Sequence, residues 1–229
     1  VQHYFTSADK AKFLKFAHEL YQPVIDRSSN SADGDDQLLY ADLLTTVSPT
    51  YAREILGSEY GMGLQDLLQQ RRNALVGILN GVDSKEWDPR TDTLIPQTYD
   101  ARSTTLKRVN RAALIEELGL DVGDDVPLIG MVTRLTYQKG LELVQQVVPA
   151  MIGQGRIAMA VLGSGETRYE QFFHWLQQSF PGRVCFWRGY NNRLSHWIEA
   201  GSDLFLMPSV FEPCGLNQMY SLRYGTPPI

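Results

Sequence analysis

The sequence predicts an α/β protein built on a parallel, doubly wound sheet. From residue 128 onward, short strands of continuous apolar residues alternate with amphipathic helices: strand 128–132, helix 141–152, strand 157–162, helix 166–179, strand 184–187, helix 193–200 and strand 204–207. Strands that are apolar on both faces and separated by helices belong to sheets covered on both sides. The composition, 43% hydrophobic and 21% charged, is that of a globular chain able to bury a core.

The earlier elements are less regular. Thr6-x-x-Asp9 has the form of a capping box, and Phe13, Phe16, Ala17 and Leu20 then recur at helical spacing. The polar stretch 27–36 follows; its Asp33-Gly34-Asp35, among Ser, Asn and Gly, reads as a solvated loop rather than a metal ligand set. Residues 43–47 read as a buried strand, Ser48-Pro49 as a helix start, and 74–79 as a second strand before the turn Asn80-Gly81-Val82-Asp83. Residues 84–105, rich in Asp, Pro and Thr, show no periodicity and are expected to cross between two lobes. Thr104 is placed to cap a helix with apolar positions Leu106, Val109, Ala113 and Leu118 and a stop at Gly119.

At ~150 residues per domain, 229 residues amount to about one and a half domains. The net charge is −5, but residues 134–229 hold eight basic and six acidic side chains, a local surplus of two positive charges. That suits a small anion and lacks the dense basic stripe of a nucleic-acid binder. Cys185 and Cys214 are too few for a disulfide framework or a four-thiolate zinc site, and no run approaches the ~18 apolar residues of a membrane span. His3, His18, His174 and His196 show no metal-ligand spacing, so no metal is expected. The start lacks signal-peptide order, and a cytoplasmic location is expected. The chain begins without Met and ends as an apolar segment starts at Thr226-Pro227-Pro228-Ile229, which reads as an internal fragment.

In doubly wound sheets ligands bind at the carboxyl ends of the strands. Four such places stand out. Thr133-Arg134-Leu135-Thr136-Tyr137-Gln138-Lys139-Gly140 brings two cations five residues apart into a loop that opens a helix, suited to one anion or to plain solvation. Gly163-Ser164-Gly165-Glu166 lets backbone approach a ligand at Gly163, but Arg168 stands where a dinucleotide fingerprint needs its third Gly. Arg188-Gly189-Tyr190 offers an aromatic ring for base stacking or for packing. Phe211-Glu212-Pro213-Cys214-Gly215-Leu216-Asn217-Gln218 holds a carboxylate at a helix entry; Cys214 is equally readable as an inert small apolar residue.

Taken together, these strings resemble the ADP-glucose-dependent glycogen and starch synthases. The matching residues are Thr45-Thr46-Val47-Ser48-Pro49-Thr50-Tyr51, Gly77-Ile78-Leu79-Asn80-Gly81-Val82-Asp83 with Trp87, Arg134-Leu135-Thr136-x-Gln138-Lys139-Gly140, and Phe211-Glu212-Pro213-Cys214-Gly215-Leu216-x-Gln218, in family order from about Tyr40 to Ile229. The resemblance implies a GT-B fold of two Rossmann-like domains, with 1–79 the end of the N-terminal domain and 80–229 most of a truncated C-terminal, nucleotide-sugar-binding domain. It implies transfer of glucose from ADP-glucose to the non-reducing end of an α-1,4-glucan with retention of configuration. Arg134 and Lys139 would then bind the diphosphate and stabilise the departing ADP, and Tyr190 would stack on adenine. Glu212, with the backbone at Cys214, Gly215 and Leu216, would hold the glucosyl group, Gly163 would border the donor, and Asn80 would line the cleft. ADP-glucose is then a substrate, and no separate cofactor is implied.

Departures accompany the match. Tyr220 stands where related retaining transferases carry a second Glu, as the glycogen and starch synthase branch tends to show. Residues 1–39 show no family pattern, and neither the Lys-x-Gly-Gly-Leu segment nor the later Thr-Gly-Gly-Leu stretch occurs. The chain alone is therefore expected to elongate glucan little or not at all. A UDP-glucose-using relative and a non-catalytic nucleotide- or glucan-binding piece are the alternatives, while a nicotinamide-dependent dehydrogenase is disfavoured by Arg168. Nucleic-acid and membrane partners are not expected.

Overall fold

The computed structural model describes residues 35–229, with side chains from Leu38 onward. The helix expected over 13–20, the Asp33-Gly34 loop, His3 and His18 lie outside the described residues. The chain divides into two compact units, with the boundary between Gly81 and Val82.

In the first unit, helix α1 (Asp35–Tyr40), strand β1 (Leu44–Thr46), helices α2 (Pro49–Glu54) and α3 (Gln65–Gln70) and strand β2 (Leu75–Gly77) follow in order. The two strands pair in parallel, Leu44 opposite Leu75 and Thr46 opposite Gly77. Helix α2 begins as its sequence predicts: the Ser48 hydroxyl accepts from the Tyr51 amide at 2.9 Å, and Pro49, which needs no partner for a missing N–H, opens the first turn. Ala41, Leu44, Ile55 and Leu68 form its buried centre.

The second unit holds α4 (Lys107–Glu117), β3 (Leu128–Leu135), α5 (Leu141–Gly153), β4 (Ala158–Gly165), α6 (Thr167–Ser179), β5 (Val184–Arg188), α7 (Asn192–Gly201), β6 (Leu204–Phe205) and α8 (Leu216–Arg223). Its four strands pair in parallel in the order β5-β4-β3-β6. Alternate residues of each strand serve opposite faces. Ile129, Met131, Met159, Val161, Val184 and Phe186 pack with Val144 and Val148 of α5 and Phe173 and Leu176 of α6. Leu128, Ala158, Ala160, Leu162 and Phe205 pack with Leu114 of α4 and Leu194 and Ile198 of α7. From β3 the chain steps outward through β4 to β5, then returns to place β6 on the other side of β3. The topological switch therefore lies between β3 and β6, where a crevice opens at the carboxyl ends of the strands.

Two local expectations are corrected. Helix α4 buries only part of the apolar set read from its sequence: Leu118 packs against the buried cluster, but Leu106 and Val109 are 38% and 46% exposed, and the inward face carries Asn110, Arg111 and Leu114. Polar residues succeed there because each is paired. Asn110 exchanges two hydrogen bonds with the Gln97 backbone, and the Arg111 guanidinium donates to the Gly123 and Val126 carbonyls and meets Asp203. Thr104 does not cap the helix, which is entered through a 3-10 turn over Thr104–Leu106 without a side-chain cap, while Gly119 ends it with φ +62°. Residues 84–105 were expected to cross between lobes, yet Trp87, Ile95 and Tyr99 are buried within the second unit among Ala200, Tyr220 and Tyr224. Aperiodic apolar residues still seek burial, and three large ones suffice to dock an irregular segment.

Gly140, at φ +65°, sits where a Cβ would come 1.8 Å from the Pro208 carbonyl oxygen. Both the left-handed backbone and the close approach exclude a side chain. Gly140→Ala is expected to destabilise the second unit by more than about 2 kcal/mol, read as a lowered urea midpoint; an unchanged midpoint would contradict the close approach.

Lys107 donates to the Ala200 carbonyl at 2.6 Å, to Thr226 Oγ1 at 2.7 Å and to the Glu199 carbonyl at 3.2 Å, and burial pushes its pKa down to about 8. An unfolded lysine titrates near about 10.4, so between these values the unfolded chain holds a proton the folded one has released, and stability rises with pH. In a Glu199→Gln background, which removes the neighbouring carboxyl, denaturation between pH 8 and 10 should show this rise with Lys107 present and lose it in Lys107→Met.

Candidate functional site

The crevice between β3 and β6 is shaped by two loops that lock together. After β3 the chain makes a 3-10 turn over Tyr137–Lys139 and enters α5 through the left-handed Gly140. After β6 it runs irregularly from Leu206 to the left-handed Gly215 that opens α8. The Val210 amide donates to the Gln138 carbonyl at 3.0 Å, and Gln138 Nε2 returns a bond to the Phe211 carbonyl at 2.9 Å. Lys139 Nζ, thus held opposite, meets Glu212 Oε2 at 2.6 Å. Ser209 Oγ donates to that same oxygen at 3.0 Å. Glu212 Oε1 takes no bond among the described residues, which leaves an acceptor for a ligand hydroxyl.

Neighbouring carboxylates fix the adjacent loops. Glu166 Oε1 accepts the Tyr137 amide at 3.1 Å, tying the turn after β4 to the turn after β3. Glu170, buried in the first turns of α6, accepts the Gly165 amide at 3.0 Å and pairs with Arg188 at 2.8 Å, tying in the end of β5.

These loops enclose a cavity of about 210 Å³ bordered by Thr133, Arg134, Lys139, Ser209, Glu212 and Asn217. A second recess of about 230 Å³ shares Thr133, Arg134 and Asn217 and adds Gly163, Gly189 and Tyr190. Arg134 borders both; it is exposed, and its guanidinium makes no ion pair or side-chain hydrogen bond among the described residues. With Lys139 and Glu212 offsetting one another, Arg134 leaves the pair of recesses with one net positive charge, which favours an anion. Tyr190 is 79% exposed, its hydroxyl donating to Asn192 Oδ1 at 2.7 Å, so the ring stands at the rim while its polar end is anchored. Gly163 admits no side chain, since a Cβ there would lie 2.1 Å from the Thr133 carbonyl oxygen of the adjacent strand.

Arg134, Lys139, Glu212, Leu216, Gly163 and Tyr190 thus come together around two adjoining recesses. Cys214 and Gly215 do not border either one; they form the turn into α8, where Gly215 has φ +74°. Asn80 lies in the first unit, exposed just beyond β2. Sequence reasoning missed Thr133, Ser209 and Asn217. Thr133 and Ser209 occupy strand-end positions of the kind already singled out, so the same rule applied residue by residue finds them. Asn217 fell at an unspecified motif position; its Nδ2 donates to the Val132 carbonyl at 2.5 Å, pinning the first turn of α8 to β3. His196, unassigned from sequence, is fully buried with Nδ1 2.8 Å from Asp92 Oδ2, and His174 stands edge-on to Phe186.

Comparison with known proteins agrees with this geometry. Residues 3–70 match the starch synthase catalytic domain family, and residues 117–229 match the glycosyl transferases group 1 family. The first match includes most of residues 1–39, where the sequence alone had shown no family pattern. Glycogen synthases of Aromatoleum aromaticum and Geobacillus thermodenitrificans are 52% and 50% identical over 192 residues, covering 84% of this chain and 39% of each relative. The chain thus spans about two fifths of the length of the curated relatives it matches. The catalytic domain of starch synthase IV from Arabidopsis thaliana, solved with ADP and acarbose, superimposes with a TM-score of 0.78 at 36% identity, covering 85% of this chain and 40% of that one. Anabaena HepE in complex with UDP and glucose shares the fold alone, with a TM-score of 0.52 at 16% identity over 86% of this chain and 48% of that one. With the strand-end motifs, the switch-point crevice and relatives near 50% identity in agreement, the chain belongs to the glycogen and starch synthase family of GT-B glycosyltransferases.

Proposed function

We propose that this chain carries the donor side of a glycogen or starch synthase, which transfers glucose from ADP-glucose to the non-reducing end of an α-1,4-glucan with retention of configuration. The observation that carries the reading is the crevice at the carboxyl ends of β3 and β6, where Arg134, without an ion pair among the described residues, lies beside the Lys139–Glu212 pair. As the glycosidic bond to the diphosphate breaks, negative charge grows on the departing ADP. Fixed cations at Arg134 and Lys139 interact more strongly with that developing charge than with the ground state, which is the condition for lowering the barrier. Glu212, pinned through Oε2, has Oε1 to accept a sugar hydroxyl and so orients the glucosyl group. In this reading the Tyr190 ring at the rim stacks on adenine, and the bare backbone at Gly163 allows close approach of the donor. Among the described residues no second carboxylate borders the cavity beside Glu212, which argues against the paired-carboxylate hydrolysis of glycosidases. The acceptor glucan belongs to the same reading through the relatives' names, and Asn80 through the motif resemblance.

Titration calorimetry of the 229-residue chain with ADP and with UDP tests the donor assignment. ADP is expected to bind more tightly than UDP, and Arg134→Ala to weaken ADP by about tenfold or more through loss of a charge-assisted contact. Equal binding of both nucleotides would move the reading to a UDP-sugar donor, and absence of ADP binding would overturn it. In the longer enzyme that contains this chain, Glu212→Ala should lower turnover on the order of 10²–10³-fold while the thermal midpoint stays nearly constant. Retained turnover would remove Glu212 from the reacting site.

A further inference from the structure

The donor cavity has a second wall behind it. Leu216 borders the cavity and, on its other side, packs against the buried cluster of Trp87, Ile95, Tyr99, Tyr220 and Tyr224. The Trp87 indole lies between two flat partners: Tyr220 of α8, with ring centroids 4.1 Å apart at 10°, and His196 of α7, at 3.9 Å and 14°. Stacks this parallel fix a helix in rotation as well as in distance. The same segment grips the far end of α8. Tyr224 donates through its hydroxyl to Asp92 Oδ2 at 2.6 Å, Tyr99 donates to the Tyr224 carbonyl at 2.7 Å, and Arg223 meets Asp88 at 2.7 Å. Asp92 and Asp88 are themselves almost fully buried, so the bond to Asp92 is shielded from water, while Arg223 reaches Asp88 from an exposed position. Helix α8 has eight residues, and its first turn supplies Leu216 and Asn217 to the cavity. A rotation that displaced Tyr220 would carry both with it.

We infer that Trp87 is a positioning residue for the donor cavity: stacked on Tyr220, it sets the rotation of α8 and so the placement of Leu216 and Asn217 against the ligand. Trp87 touches no ligand-facing surface itself; it acts through the helix. The inference rests on the donor-site reading for its ligand but not for its geometry.

The test uses the 229-residue chain, with ADP as the probe and the backbone amide resonances of Gly215 and Asn217 as a readout that needs no ligand. Trp87→Leu keeps an apolar side chain and removes the stack, Trp87→Phe keeps a ring, and Phe173→Leu weakens the opposite face of the sheet as a control. Trp87→Leu is expected to shift the Gly215 and Asn217 resonances and to weaken ADP about tenfold, Trp87→Phe to restore affinity to within about threefold, and Phe173→Leu to leave it unchanged. Unmoved resonances in a folded Trp87→Leu chain overturn the inference, as does an equal loss of affinity in Phe173→Leu. Should the unsubstituted chain fail to bind ADP, the donor reading falls alone, and shifted or unmoved resonances still decide the role of Trp87. Should Trp87→Leu not fold, Tyr224→Phe, which keeps the ring and removes the hydroxyl's contacts with Asp92 and His196, is read by the same resonances with the same outcomes.

Discussion

The site depends on one close approach, between the loop that leaves β3 and the loop that leaves β6. Gly140 lies against the Pro208 carbonyl at a distance no Cβ permits, and that contact brings Gln138 within reach of Val210 and Phe211. Only with those two backbone-anchored bonds in place does Lys139 stand 2.6 Å from Glu212. A half-buried ion pair costs desolvation at both ends, and the pair is favourable when its geometry is held by other forces. Here the preorganising force is main-chain hydrogen bonding, so the charged groups need not spend their own interaction energy on being aligned.

The sheet explains why the approach occurs where it does. Chain reversal after β5 puts β6 beside β3 rather than beyond β5, and the two loops that follow those strands are thereby neighbours although about seventy residues separate them in sequence. Carboxylates on α6 extend the same fastening outward: Glu166 holds the turn after β3, and Glu170 joins the turn after β4 to Arg188 at the end of β5. Behind the cavity, the aromatic stack on Trp87 secures the helix that closes it. The recess therefore has polar fastenings at its mouth and an apolar one at its back, with Leu216 shared between the apolar cluster and the cavity wall.

Where sequence reasoning fell short, the cause was partner choice at a distance. Hydrophobic periodicity assigned α4 an inward face of Leu106, Val109, Ala113 and Leu118; Leu118 packs inward, but Arg111 and Asn110 are buried in place of Leu106 and Val109 because Asp203, Gly123, Val126 and Gln97, all remote or irregular in the chain, satisfy their polar groups. Periodicity has no means of seeing such partners. Residues 84–105 had no period at all, and their docking rests on three side chains, Trp87, Ile95 and Tyr99, whose burial needs helices 100 residues or more further on. The resemblance placed Cys214, Gly215 and Leu216 together around the sugar; of these Leu216 borders the cavity, joined by Asn217, while Cys214 and Gly215 form the turn into α8.

The sequence by itself determined the parallel α/β class, the strand and helix order of the second unit, and the family, because those follow from apolar runs, helical spacing and motifs that are local in the chain. It also singled out Arg134, Lys139, Glu212 and Tyr190, since strand-end positions are legible once the strands are. Only the tertiary structure decided which of those residues meet: that Lys139 and Glu212 pair, that Arg134 borders both recesses, and that Asn217 and Ser209 complete the wall. The physical reason is that contact across a topological switch depends on strand order and on the approach of two loops. Neither quantity is encoded in any one stretch of residues.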